Sequence, residues 1–172
     1  MNLPSLETPR LVLRTYLDED LDDFHAIRSD PVIRRYYPPH FSPPEKSPEI
    51  LHRHLVRWRE NGFGEFGAFE KASGKLIGYC GLQNLDGGDE IEIYYGYAQT
   101  AWGKGFATEA AAAVLEFGFR EAGLEEIVAV THPENIASQN VLQKIGLRFE
   151  KEIICYRMNC RYFRLGREDH FE

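Results

Sequence analysis

Three features of the 172-residue sequence predict an α+β chain built on one strongly twisted mixed sheet, of about six to seven strands flanked by about four helices. The first is the stretch from Glu90 to Thr108. There Glu90, Glu92 and Tyr94 alternate with Ile91, Ile93 and Tyr95 at the strand period of two, and the pattern then breaks through Gly103 and Gly105 into an alanine-rich helix. The second is a pair of strand-like runs ahead of it, Gly64 to Glu70 and Leu76 to Leu85, separated by turn chemistry that predicts an antiparallel meander. The third is the short run Ile127 to Val130 beyond the helix. A strand reached through a crossover helix lies parallel to the strand it left, so the sheet must be mixed.

Taken in order, Leu11 to Tyr16 alternates in part and predicts the opening strand. The acidic cluster Asp18-Glu-Asp20 suits the start of a helix over 19–29 by capping and by charge. Leu21, Phe24 and Ile27 share one side of that helix, and Pro31 stops it. Tyr36 to Pro44 is too rich in proline for either regular element and reads as a loop with some polyproline character. Ser47 as cap and Pro48 at the first helical position open a second helix, which ends at Asn61-Gly62.

The meander follows, with a hairpin at Lys71 to Lys75 and a turn at Asp86 to Asp89 leading into the strand Glu90 to Tyr97. A helix from Thr108 to Ala122 turns Ala111, Val114, Leu115 and Phe119 toward a core, and Gly123 closes it. After the strand at Ile127 comes a helix over Ala137 to Ile145 ended by Gly146, then strands at Phe149 to Ile154 and Tyr156 to Leu165. The predicted order is β-α-α-β-β-β-α-β-α-β-β.

Length and a 43% hydrophobic content fit one domain over 1–172 with a real core. A formal charge of −7 argues against a general nucleic-acid binder, which needs a basic stripe. Cys80, Cys155 and Cys160 are odd in number and widely spaced, which indicates neither a disulfide framework nor a zinc site; no metal is expected, and the reducing cytoplasm is the default location. No stretch approaches the roughly 20 apolar residues of a membrane span.

The glycine pair is an anion-binding design. Two missing Cβ atoms at the mouth of a helix let a ligand approach the unpaired N–H groups of its first turn, and those groups favour phosphate. The pattern is not a Walker A loop: one residue separates Gly103 from Gly105, and Phe106-Ala107 stands where Lys-Ser/Thr is required. Nor is it a dinucleotide fingerprint, whose third small residue would fall at Thr108.

Trp102-Gly-Lys-Gly-Phe-Ala-Thr-Glu-Ala110 resembles the acyl-CoA motif of the GNAT N-acetyltransferases, especially their ribosomal-protein (RimJ/RimL-like) branch. Pro133-Glu-Asn135-Ile-Ala-Ser138, followed by Val141 to Gly146, resembles that branch's second motif, and Glu7 to Arg14 its Glu-Thr-x-Arg-Leu-x-Leu-Arg opening. The resemblance implies the GNAT fold and transfer of an acetyl group from acetyl-CoA to an amine. The branch favours the α-amine of a protein or peptide, with a small-molecule amine or a non-catalytic CoA-binding module as the alternatives, in a monomer or homodimer.

By the same resemblance, Tyr95, Gly96 and Tyr97 would pair with the pantetheine arm. Trp102, Gly103, Lys104, Gly105, Phe106, Ala107 and Thr108 would hold the pyrophosphate. The chain departs from the family at Thr100, where Gln or Arg is usual, and at Leu142, where many members carry the Tyr that protonates the leaving thiolate. The branch instead keeps Asn and Ser one turn earlier, which implies Ser138 near the thiol and Asn135 bonding pantetheine; local capping is the simpler role for both. An ammonium must lose a proton before it can attack a thioester, and Glu92 on the central strand is the expected base, with Glu90 as fallback. Glu109 is read as complementing the helix N-terminus. Acceptor walls are expected from Tyr36 to Pro44 and Cys155 to Tyr162.

Overall fold

The computed structural model describes residues 3–38 and 43–172. Eight strands form one sheet: β1 (Leu6–Glu7), β2 (Leu11–Arg14), β3 (Glu65–Glu70), β4 (Leu76–Asn84), β5 (Ile91–Tyr97), β6 (Glu126–Thr131), β7 (Arg148–Cys155) and β8 (Met158–Gly166), in the spatial order β1-β2-β3-β4-β5-β6-β8-β7. Five helices accompany it: α1 (Leu21–Ser29), α2 (Ser47–Asn61), α3 (Phe106–Arg120), α4 (Ile136–Lys144) and α5 (Arg167–Phe171). The predicted order of elements holds. The two additions are a two-residue β1 and a five-residue α5, both too short to show a period.

Strand alternation divides the interior. Leu11, Leu13, Phe66, Cys80, Leu82 and Ile93 pack with Val114, Leu115 and Phe119 of α3. From the other sheet face Tyr79 and Leu76 pack with Phe24 and Ile27 of α1 and Ile50 and Leu51 of α2. The central strands are therefore covered on both sides, and this alters the meaning of polar residues on β5.

Boundaries differ in informative ways. Asp18–Asp20 forms a 3-10 turn and α1 begins at Leu21, because the Asp20 carboxylate folds back to accept the Leu17 amide at 2.7 Å and is tied to Arg14. Ser47 is the first residue of α2, with Lys46 as its cap; its hydroxyl donates to the Pro44 carbonyl at 2.5 Å. α3 starts two residues early, at Phe106, since Gly105 at φ 81° makes the turn into it. Tyr156 lies in the β7–β8 turn, not in the last strand, and takes φ 52° beside Arg157 at 61°.

β4 and β5 pair antiparallel from Gly78↔Tyr97 to Asn84↔Ile91, whereas β5 and β6 share the single parallel pair Glu92↔Val128. Beyond that pair the two strands diverge and open the middle of the sheet.

Candidate active site

A cavity of about 400 Å³ enters at this divergence, and Glu92, Tyr95, Asn135 and Ser138 all line it. The alternation of β5 alone would leave Glu92 on a polar strand face. Glu92 is 3% exposed, closed in by Gln83 of β4 and by Tyr156 of the β7–β8 turn. Its Oε1 accepts from Gln83 Nε2 at 2.8 Å across the β4–β5 register and from the Tyr156 hydroxyl. Both donors sit on Oε1, so Oε2 is the oxygen left for a proton. Burial raises the carboxyl from its ordinary range to about 7, against the downward pull of the Tyr156 and Gln83 bonds. Glu90 is a poor substitute: it precedes β5, is exposed, and accepts from Tyr162 while facing Arg164.

Tyr156 reaches Glu92 because its turn is clasped. Asp86, itself at φ 47°, accepts the Tyr156 amide on Oδ2 at 2.8 Å and donates its own amide to the Tyr156 hydroxyl at 3.0 Å. Two left-handed turns thus hold one phenol over the carboxylate. No local pattern in the sequence announces Tyr156, and Gln83 was recoverable only by counting register back from the turn at Asp86.

On the other side of the divergence, the Asn135 side chain caps α4 by accepting the Ser138 amide at 3.2 Å, the local role allowed for it. The Ser138 hydroxyl lies 3.0 Å from the Tyr95 hydroxyl, which also donates to the Ser138 carbonyl at 3.1 Å. The two form a hydroxyl pair bridging β5 and α4, and burial holds the Tyr95 phenol protonated. Leu142 is buried and offers no acid to the cavity it lines.

Bonding alternates along β5. Ala98 N–H donates to Ile77 O at 2.9 Å and Gly96 opposes Tyr79, so Tyr95 and Tyr97 turn their backbone groups to the divergent edge. The Tyr97 carbonyl accepts from the half-exposed Trp102 indole at 2.7 Å. Gly96 contributes room: a Cβ there would stand 2.5 Å from the Tyr79 hydroxyl.

The loop after β5 has Gly103 at φ 71° and Gly105 at 81°, with open space where a Gly103 Cβ would be. The amides of Phe106, Ala107 and Thr108 precede the first helical bond, Glu109 N to Gly105 O at 3.0 Å, and α3 has no side-chain cap. Arg10 fastens the loop from β2's approach. It donates to the Lys104 carbonyl at 2.8 Å, pairs with Glu109 at 2.7 Å and covers the Phe106 ring. Glu109 thus has a structural partner.

The cavity's far end lies against α1 and α2, where Arg28, Arg53, His54 and Arg57 line it together with Glu65. Of the two loops expected to wall an acceptor, Tyr36, Tyr37 and Pro38 of one and Tyr156, Met158 and Cys160 of the other line the cavity, and 39–42 lie outside the described residues. Glu65 accepts from Tyr16 at 2.5 Å and is bonded by Tyr94, while burial lowers the His54 pKa against the nearby Glu65 charge.

A splayed parallel strand pair followed by a glycine-lined helix start suits an extended ligand that ends in phosphate. The model of the acetyltransferase (GNAT) domain family matches residues 10–148, and the chain belongs to that family. It is 30% identical over 145 residues to the uncharacterized N-acetyltransferase YnaD of Bacillus subtilis (strain 168), covering 84% of this chain and 83% of the other. Two solved structures share the fold at lower identity. Mycobacterium smegmatis RimJ in complex with CoA-disulfide is 22% identical, with a TM-score of 0.80 over 92% of this chain and 83% of the other. Vibrio cholerae spermidine N-acetyltransferase in complex with CoA and spermine is 18% identical, with a TM-score of 0.79 over 96% and 100%. The protein is an acetyl-CoA-dependent N-acetyltransferase. Among the described residues no helix is long and apolar enough to cross a membrane.

Proposed function

We propose that the chain is a single catalytic domain of the RimJ/RimL-like branch that acetylates the α-amine of a protein or peptide, with Glu92 as base and Ser138 at the departing sulfur. The observation that carries this reading is Glu92 itself: a buried carboxylate held near pKa 7, with one oxygen unspent, on the cavity that also holds the Ser138 and Tyr95 hydroxyls.

The residues fit an acetyl-CoA molecule. The open edge at Tyr95 and Tyr97 suits the amides of an extended arm, and the three free amides at the start of α3 suit its phosphates. Acetyl-CoA supplies the activated acyl group. Glu92 takes a proton from the acceptor ammonium through Oε2, and the freed lone pair attacks the thioester carbonyl carbon. The C–N bond forms, the C–S bond breaks, and the Ser138 hydroxyl, bonded to Tyr95, gives its proton to the sulfur. Of the two protons the nitrogen loses, one leaves through Glu92 to water and one restores Ser138.

The α-amine acceptor is supported by the branch motifs and by the likeness to RimJ, although the spermidine enzyme is alike in fold to a similar degree. Acetylation of a mixed peptide and metabolite library, read by mass spectrometry, tests it. Labelled peptide N-termini are expected; labelled metabolites alone overturn the acceptor, and acetyl-CoA binding without turnover on any amine overturns catalysis.

A further inference from the structure

The chain carries 27 acidic against 20 basic residues, yet its cavity reverses that balance. Three arginines, Arg28, Arg53 and Arg57, line it against two carboxylates, Glu65 and Glu92. Glu65 is already committed to Tyr16 and Tyr94, so it offers little to a second cationic group. His54, 3.3 Å from Glu65, brings no further carboxylate, and burial lowers its pKa.

The arginines are also placed with respect to the base. Arg57 Nη1 donates to Gln83 Oε1 at 3.2 Å, and Gln83 Nε2 donates to Glu92 Oε1 at 2.8 Å, so one hydrogen-bonded chain runs from guanidinium to carboxylate. Arg53 lies one turn earlier on α2, on the same helix face. Arg28 is buried at the end of α1. An acceptor whose ammonium meets Glu92 therefore places whatever lies a few bonds away against guanidinium groups. Guanidinium matches a carboxylate in shape and charge and repels a second amine.

We propose that the acceptor amine carries a carboxylate close by, held by Arg53 and Arg57 with Arg28 behind them, so that polyamines are excluded. The proposal rests on Glu92 receiving the amine, as above. The carboxylate belongs either to an acidic residue at a peptide N-terminus or to a free amino acid, and the test separates these sources.

CoA release is measured with the peptide amides Asp-Ala-Ala, Ser-Ala-Ala and Lys-Ala-Ala, with alanine against alaninamide, and with spermidine. The aspartyl peptide or alanine should exceed its neutral counterpart in kcat/KM by about 10-fold, and the lysyl peptide and spermidine by more. Arg53→Gln, at an exposed position, and Arg57→Gln, at a half-buried one, should collapse that ratio toward one, while calorimetric titration shows acetyl-CoA still bound. Preference in the peptide pair assigns the carboxylate to a peptide, and preference in the alanine pair to a free amino acid. Equal use of acidic and basic acceptors overturns the proposal. So do variants that lose acetyl-CoA affinity with the ratio intact, since the arginines would then serve the CoA phosphates. Turnover of no amine overturns the Glu92 reading as well.

Discussion

The Tyr156 hydroxyl donates to Oε1 of Glu92 from sixty-four positions further along the chain, out of a turn whose two central residues are both left-handed. A bulky residue at positive φ is costly, and here the Asp86 carboxylate and amide hold it in place. The phenol favours the charged form of a carboxylate that burial pushes toward neutrality. These opposed effects set the pH at which the base is ready.

Removing the phenol should therefore raise the Glu92 pKa further. In Tyr156→Phe the acidic limb of kcat/KM is expected to move up by roughly one to two pH units, since a hydrogen bond to a charged group is worth about 1.5–3 kcal/mol. Activity lost at neutral pH should return at alkaline pH. A uniform loss with the limb unmoved would mean that Tyr156 acts elsewhere.

Glu92→Gln keeps shape and most bonding but cannot take a proton. Turnover should fall roughly 10²–10⁴-fold with acetyl-CoA affinity little changed. Glu90→Gln, at an exposed residue facing Tyr162 and Arg164, should leave turnover near that of the wild type. Equal losses in both would rule out a single base.

The same carboxyl makes stability depend on pH. Its folded pKa of about 7 lies above the ordinary 4.5, so its contribution to the fold is complete below 4.5 and drains away as pH rises through 7. Glutamine does not titrate. Relative to wild type, Glu92→Gln should therefore gain stability from acid to pH 8, by up to about 3 kcal/mol for a shift of this size. Urea unfolding at pH 5 and pH 8 measures it, and a pH-independent difference would refute the shift.

Two glycines separate space from conformation. A Cβ on Gly78 would stand 2.3 Å from the Tyr97 ring and 2.5 Å from the Gly96 carbonyl, so Gly78→Ala should part β4 from β5 and cost about 1–3 kcal/mol. At Gly103 a Cβ meets nothing within 4 Å, and the cost is the left-handed φ, about 1–2 kcal/mol. If phosphate lies on that backbone, Gly103→Ala should weaken acetyl-CoA binding about 10-fold or more while the protein stays folded. Unchanged affinity would remove the loop from the cofactor site.

The meander was legible in the sequence because β5 alternates at period two and the runs that became β3 and β4 are set apart by short turns. Glu92 could be picked out by position, but not its burial: glutamate on an alternating strand reads as solvent-facing, and only the β7–β8 turn folding Tyr156 onto it reverses the reading. The partners of Glu92 were illegible for a related reason. Gln83, Arg57 and Tyr156 arrive from a neighbouring strand, a helix and a distant turn, and no local spacing encodes their meeting. Nothing in the spacing of Arg53 and Arg57 marks a site, and only the cavity shows what they line.

The single pair Glu92↔Val128 leaves the middle of the sheet less completely knitted than its flanks. An extended ligand seated along Tyr95 and Tyr97 would act as a guest strand, turning loose amides into a ladder. Folding and cosubstrate concentration would then be linked: each tenfold rise in acetyl-CoA above its dissociation constant would add about 1.4 kcal/mol to the native state. In that sense the cell's acetyl-CoA supply would be a structural component of the enzyme, and amide hydrogen exchange at Tyr95 and Tyr97 would report how full it is.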